Sequence, residues 1–193
     1  TKLKKGTVPT KAFEHSIPDW LVETLEKELG ENWEKEMIAL NEQAPTILRA
    51  NSLKTSTKHL IEELKHENVE SFQVPGFENA VQLEEKKNVF LTSAFKDGFF
   101  EVQDAGSQKI GEFLDVKPGM RVVDACAGAG GKTLHIAALM ENKGQIIAMD
   151  IHGWKLAELK RRAKRAGAHN IETREITDNK VIKRLHEKAD RLL

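Results

Sequence analysis

The stretch VVDACAGAGGKTLHIAALM, residues 122–140, joins a β-branched run to a helix-forming run through a glycine-rich turn. Its first residues predict a buried strand, and the residues after Lys132 predict a helix with an apolar face. Glycines at such a junction let a ligand approach the backbone closely. The function of the chain therefore depends on which ligand this turn accepts.

The residues around this turn predict a doubly wound α/β sheet over 105–193. The segments GQIIAMD (144–150), NIETREI (170–176) and DRLL (190–193) predict three further strands. Helices are predicted between them, at HGWKLAELKRRAKRAG (152–167) and NKVIKRLHEKA (179–189). Strands that alternate with helices of about 10–15 residues indicate a parallel sheet.

Two smaller regions precede this sheet. Residues 1–45 predict a helical segment, in which Ser16 is expected to cap the first long helix. Residues 46–104 predict a small α/β unit of the RNA-recognition or ferredoxin-like type, whose final hairpin turns at Asp97-Gly98. Such units serve many functions, so this region alone does not indicate one.

Composition narrows the class of protein. Thirty basic and 30 acidic residues give a net charge of zero, so any nucleic-acid contact requires local clustering of Lys and Arg. The sequence has no run of about 18 apolar residues, which predicts no membrane span. One cysteine and seven scattered histidines predict neither a disulfide framework nor a zinc site, and a reducing cytoplasm is the expected location. Nothing in the sequence sets the oligomeric state.

Three classes of ligand are compared with the sequence of the turn. A phosphate-binding loop of the form G-x-x-x-x-G-K-[ST] would need its first glycine at Cys126. A dinucleotide fingerprint G-x-G-x-x-G fits Gly128 and Gly130, but its third glycine would fall on Thr133. S-adenosylmethionine has no phosphate and needs open backbone at the turn and a carboxylate on the next strand. Asp150 ends that strand about 20 residues past the glycines, a position that also suits a dinucleotide.

The turn and its flanks resemble one known family. VVDACAGAGGKT (122–133) is similar to the D-x-C-A-A-P-G-G-K-T motif of the Nop/Sun-type RNA (cytosine-5) methyltransferases, the Fmu-like rRNA methylases. IPDWLVETLEKELG (17–30) resembles the family's N-terminal helix, and APTILRANSLKTS (44–56) its P-x-x-x-R-x-N-x-x-K segment. FFEVQDAGSQKIGEFLDVKPGMRVVD (99–124) is similar to its V-Q-D-x-x-S-Q lead-in. The resemblance implies a Rossmann-like methyltransferase sheet that binds S-adenosylmethionine.

Site residues follow from the resemblance position by position. It implies that one loop lines the cofactor site, namely Cys126, Ala127, Gly128, Ala129, Gly130, Gly131 and Lys132. It further implies that Asp150 binds the ribose hydroxyls and that Asp178 lies beside the adenine. Gly128 and Ala129 depart from the family's Ala-Pro, which is expected to loosen the turn.

The family's catalytic cysteines have no counterpart among these residues. Methylation at cytosine C5 needs a thiolate that adds to C6, and the family supplies cysteines in Pro-Cys and Thr-Cys motifs beyond the fourth strand. Cys126 matches the cofactor loop, and ADRLL (189–193) resembles the segment just before the Pro-Cys motif. These 193 residues are therefore expected to lack methyl-transfer activity on their own.

The resemblance also implies an RNA partner, most simply ribosomal RNA. Arg49 and Asn51 belong to the segment that resembles an RNA-contacting one. An equally good interpretation is that they are polar residues at the edge of a strand. The basic helix 155–167 suits either phosphate contact or a solvated face. Two other functions stay open at this point: a catalytically inactive RNA-binding module and a dinucleotide-dependent oxidoreductase.

Overall fold

A computed structural model describes residues 9–178, 183 and 185–193. Contacts divide the chain into two compact units, Thr1–Ala44 and Pro45–Leu193. The finer division predicted from the sequence, into 1–45, 46–104 and 105–193, stays a prediction.

The first unit is helical over its described residues. Its helices are α1 (Lys11–Glu14), α2 (Asp19–Leu29) and α3 (Trp33–Asn41). The predicted capping role of Ser16 is wrong: Pro18 occupies the N-cap of α2 without a side-chain hydrogen bond, and Ser16 lies in the left-handed region with φ 57°. The short helix α1 accounts for this difference, because the Ser16 amide donates to the Phe13 carbonyl as the chain leaves α1, three residues before α2 begins at Asp19.

The second unit opens with a small antiparallel sheet. Its elements, in chain order, are β1 (Ile47–Ala50), α4 (Thr57–His66), β2 (Ser71–Gln73), β3 (Ala80–Leu83), α5 (Ser93–Lys96) and β4 (Phe100–Val102). The strand order β2-β3-β1-β4 and the βαββαβ succession are those of a ferredoxin-like fold. Leu48, Leu60, Leu64 and Phe100 are fully buried between this sheet and α4.

The hairpin predicted before β4 is wrong. Thr92 accepts a hydrogen bond from the Phe95 amide and so caps the short helix α5, where the sequence suggested a strand. Asp97 follows α5 in a right-handed conformation and Gly98 has φ 74°, so the Asp-Gly pair ends a helix. β-prone residues gave the wrong expectation because a side-chain cap outweighed their weak propensity.

The larger sheet is parallel, as predicted. The strands of this sheet and the helices that alternate with them are, in chain order, α6 (Ala105–Phe113), β5 (Arg121–Asp124), α7 (Gly131–Leu139), β6 (Gln145–Asp150), α8 (Gly153–Ala166), β7 (Ile171–Glu175) and β8 (Arg191–Leu192). The order β7-β6-β5-β8 is the first half of a Rossmann-like sheet. Residues 179–182 and 184 of the helix predicted over 179–189 lie outside the described residues, and residues 185–187 form a turn. The order reverses between β5 and β8, where open α/β sheets bind their ligands.

The two sheets of this unit meet along α8. The Asn51 side-chain amide donates to the carbonyls of Gly98 and Ala166, each at 2.8 Å. Lys54 Nζ donates to the Arg165 carbonyl at 2.8 Å and to the Asp97 carbonyl at 2.7 Å. These bonds satisfy carbonyls at the C-terminal ends of both α5 and α8, where a helix leaves its last carbonyls without a partner of its own. The small sheet thereby fixes the helix that follows Asp150.

Candidate functional site

The glycine turn takes backbone conformations that a side chain would strain. Gly130, the residue before α7, has φ 90°, and a Cβ there would lie 2.0 Å from Leu159 Cδ1. Gly128 has φ 53°, but a Cβ built on it would meet no atom within 4 Å. Gly131 also faces open space. Gly130 is therefore required for packing on α8, whereas Gly128 and Gly131 leave room for a ligand.

Asp124 at the end of β5 holds this turn through two hydrogen bonds. Its Oδ2 accepts a hydrogen bond from Thr133 Oγ1 at 2.6 Å, and its Oδ1 accepts from the Cys126 amide at 3.3 Å. Burial raises the pKa of the Asp124 carboxyl, an effect that these two hydrogen bonds and nearby Lys132 oppose. Thr133 is fully buried at the place where a dinucleotide turn would have its third glycine.

Asp150 at the end of β6 accepts two backbone hydrogen bonds, one of them from the glycine turn. Its Oδ2 accepts from the Gly128 amide at 2.9 Å, and its Oδ1 accepts from the His152 amide at 2.9 Å. Burial favours a higher pKa for the Asp150 carboxyl, but the hydrogen bonds from His152 and Gly128 and the nearby charge of Lys155 prevail and lower it. Asp150 is therefore ionised near neutral pH and retains lone pairs for further donors.

A cavity of about 550 Å³ opens beside the turn, at the reversal between β5 and β8. The lining residues are Val102, Gln103, Asp104, Ser107, Ile110, Asp124, Cys126, Ala127, Gly131, Lys132 and Leu193. Two carboxylates and one lysine thus face the same space. This volume suits a small-molecule ligand.

Arg162 of α8 ties the outer side of the turn to the small sheet. Its Nη1 donates to the Ala129 carbonyl at 2.8 Å, while its Nε and Nη2 donate to Glu101 Oε2 at 3.1 and 2.8 Å. Glu101 on β4 is 3% exposed and also pairs with Arg165. A charge-assisted, three-point contact of this kind restrains a guanidinium strongly.

The structure brings most of the predicted site residues together. Cys126, Ala127, Gly131 and Lys132 line the cavity, and Gly128 is hydrogen-bonded to Asp150. Asp178 is exposed and follows β7 at the same edge of the sheet, outside the residues that line the cavity. The assignment of all nine residues to a cofactor stays a prediction.

The interpretation of Arg49 and Asn51 as RNA contacts is wrong. Both are buried, at 1% and 2% exposure, and both bond to protein groups of the seam between the sheets. Burial lowers the pKa of the Arg49 guanidinium to about 10, with Glu101 opposing this effect. Local sequence cannot indicate this burial, because the groups that contact Asn51 lie in other segments of the chain.

Two residues with a part in the site were missed from the sequence, Gln103 and Arg162. Gln103 lines the cavity. Arg162 is one of six basic residues in α8, and their sequence pattern indicates only a charged face without distinguishing one residue from another. Only the three-dimensional pairing with Glu101 separates Arg162 from its neighbours. Lys155 lies over the exposed ring of Trp154, 5.6 Å from its centroid.

The described residues lack both a membrane-spanning helix and a metal-binding cluster. No helix among them is long and apolar enough to cross a membrane. No group of three or more His, Cys, Asp or Glu side chains in that part of the chain is placed to hold a metal ion.

Comparison with known proteins agrees with the fold. The family model described as 16S rRNA methyltransferase RsmB/F matches residues 112–193, and the one described as the RsmF/B-like ferredoxin-like domain matches residues 17–90. A crystal structure of a methyltransferase homolog protein from Pyrococcus horikoshii superposes with a TM-score of 0.82 at 27% identity, over 94% of this chain and 60% of that one.

Sequence relatives carry the same description. A Synechocystis protein named "Probable ribosomal RNA small subunit methyltransferase B" is 36% identical over 160 residues, which is 82% of this chain and 36% of the relative. "Ribosomal RNA small subunit methyltransferase B" of Proteus mirabilis is 32% identical over 152 residues, 79% of this chain and 36% of the relative. The chain thus spans about a third of the length of these relatives. By sequence and by fold, the chain belongs to the Nop/Sun-type family of RNA methyltransferases.

Proposed function

We propose that the chain is the S-adenosylmethionine-binding part of an RNA methyltransferase that methylates cytosine C5, with ribosomal RNA as its substrate. Family membership supports the reaction class, since the relatives are named as small-subunit ribosomal RNA methyltransferases. A cytoplasmic location follows from that substrate. The observation that carries the cofactor assignment is the charge of the cavity beside the glycine turn.

The residues at the turn fit S-adenosylmethionine. The cofactor supplies a methyl group on a cationic sulfonium and carries ribose hydroxyls that donate hydrogen bonds. The ionised Asp150 offers acceptors for those hydroxyls, next to the open backbone at Gly128. The cavity adds the carboxylates of Asp104 and Asp124, which attract cationic groups.

The same charges disfavour a dinucleotide or nucleoside triphosphate. Both would place phosphate at the N-terminus of α7, where Asp124 lies beneath the turn. A pyrophosphate would bring two negative charges beside the Asp124 carboxylate, with Lys132 as the one basic residue among those that line the cavity, whereas an amino acid end brings no net charge. The buried Thr133 also occupies the space that a third glycine would leave open.

Catalysis of the full reaction needs groups beyond those of the cavity. Cys126 is the only cysteine and is exposed on the cofactor loop, where it lines the cavity. Its position in the motif supports a part in cofactor binding. We therefore expect these 193 residues to bind the cofactor and its product without transferring a methyl group to RNA.

Calorimetry tests the cofactor assignment. S-adenosylhomocysteine, the demethylated product, should bind, whereas NAD should not. At about 100 times its dissociation constant, a ligand that binds only the folded state stabilises by about 2.7 kcal/mol. Asp150→Asn should weaken binding because the neutral amide loses the charge that strengthens hydrogen bonds from the ribose. Binding of NAD in preference to S-adenosylhomocysteine would refute the proposal.

A further inference from the structure

Gln103 lies at the wall of the cavity and is held at three points. It follows β4 and is 7% exposed. Its backbone amide donates to the Ile47 carbonyl at 3.1 Å, and its carbonyl accepts from Gln108 Nε2 at 3.1 Å. Its side-chain Oε1 accepts from Arg49 Nε at 2.6 Å. The residue is therefore a fixed part of the wall.

Arg49 determines which atom of the Gln103 side-chain amide has no hydrogen-bond partner. A guanidinium only donates hydrogen bonds, so the Gln103 amide must turn its oxygen toward Arg49. The Nε2 group then has to find acceptors elsewhere. It is buried and has no hydrogen-bond partner among the described residues. A buried donor without a partner is costly, and native structures keep few of them.

The remaining groups of the cavity indicate what this donor meets. Lys132 and the first turn of α7 favour an anionic group, and Asp104 and Asp124 favour a cationic one. A ligand with both charges close together, such as the α-amino acid end of S-adenosylmethionine, satisfies both. A carboxylate would also accept a hydrogen bond from Gln103.

We propose that Gln103 donates a hydrogen bond from Nε2 to the carboxylate of the methionine portion of S-adenosylmethionine. Arg49 is the positioning residue that presents this donor. The inference rests on the proposed function, since it assigns one more contact to the same ligand. It extends the binding wall from the glycine turn onto the segment that joins the small sheet to the parallel sheet.

Gln103→Glu isolates this contact. The variant keeps an oxygen for Arg49 and replaces only the NH₂ donor with a second acidic oxygen. Gln103→Met removes the donor without adding charge and serves as the second variant. Thermal melting without ligand establishes that each variant folds. Calorimetry then compares S-adenosylhomocysteine with 5′-methylthioadenosine, which keeps the nucleoside and the thioether but has no amino acid end.

The pattern across the two ligands decides the outcome. We expect Gln103→Glu to weaken S-adenosylhomocysteine binding by about tenfold or more, because a charge-assisted hydrogen bond is replaced by repulsion. Gln103→Met should give a smaller loss, and methylthioadenosine binding should not change. Unchanged S-adenosylhomocysteine binding, or an equal loss for both ligands, would overturn the inference while the proposed function stands. Failure of the wild-type chain to bind either ligand would overturn the proposed function and this inference with it.

Discussion

The two sheets of the second unit bury polar residues for different purposes. In the small sheet, Arg49, Asn51 and Glu101 are buried and bonded to other protein groups, Arg49 to Gln103 and the other two to α8. In the parallel sheet, Asp124 and Asp150 end their strands beside an open turn. A buried polar residue therefore indicates a ligand only where the protein leaves part of its hydrogen-bonding capacity unused.

The seam is nevertheless connected to the site. Arg162 joins Glu101 of the small sheet to the Ala129 carbonyl of the glycine turn. Gln103 connects Arg49 to the cavity wall. The small sheet therefore supports the site mechanically, independent of any contact it makes with RNA.

Removing the charge of Glu101 should give the largest effect on stability. Glu101→Gln leaves Arg162 and Arg165, which are 18% and 21% exposed, without a counter-charge, and breaking a buried pair costs about 3–5 kcal/mol. Urea unfolding measures the loss. Glu172→Gln at the exposed Arg174 pair is the control and should cost less than about 1 kcal/mol. Equal effects of the two variants would mean that the seam is no more than a surface contact.

Gly130→Ala tests whether the turn is held by packing. Its φ of 90° strains a side chain, and its Cβ would clash with Leu159, so we expect a loss of about 3 kcal/mol. Gly76→Ala is the matched control, because Gly76 has φ 79° with nothing within 4 Å and should cost only about 1–2 kcal/mol. Similar losses in chemical denaturation would show that α8 does not constrain the turn.

His135 shows a third kind of buried polar residue, one that the described residues leave unpartnered. Burial lowers its pKa from 6.5 to about 3, with the charge of Arg49 contributing. Between pH 6.5 and about 3, His135 is therefore protonated in the unfolded state but neutral in the folded state. The free energy of unfolding then falls as the pH drops below 6.5, by about 1.4 kcal/mol per pH unit.

Replacing His135 should remove that pH dependence. Urea unfolding of His135→Leu between pH 7 and 4.5 should give a flatter profile than the wild type. His169→Leu at an exposed histidine is the control and should keep the wild-type slope. A steep profile in His135→Leu would assign the acid sensitivity to other groups.

Arg162→Gln should give the smallest effect, on affinity. Losing one hydrogen bond to the Ala129 carbonyl is expected to weaken S-adenosylhomocysteine binding about three- to tenfold. Arg165→Gln is the matched control, because Arg165 pairs with the same Glu101 and its side chain makes no hydrogen bond to the turn. Calorimetry on both variants separates the two roles. An equal loss would locate the effect in the charge of Glu101.

Sequence patterns predicted the parallel sheet well because its signals are local. The apolar strands, the glycine turn and the helix ended by Gly167, with φ 72°, need no distant partner to be recognised. The small sheet was predicted less well. The cap at Thr92 is a single side-chain bond, and the burial of Arg49 and Asn51 depends on residues more than 45 positions away. The site followed the same rule, since the turn and Asp150 were predicted and Gln103 was not.

A crystal structure with S-adenosylhomocysteine would show whether the glycine turn and Asp150 form the cofactor site. We expect the ribose hydroxyls within hydrogen-bonding distance of the Asp150 carboxylate and the amino acid end in the cavity beside Asp124 and Lys132. A ligand bound elsewhere, with this turn left empty, would contradict it. So would a structure with NAD in which the pyrophosphate occupies the N-terminus of α7.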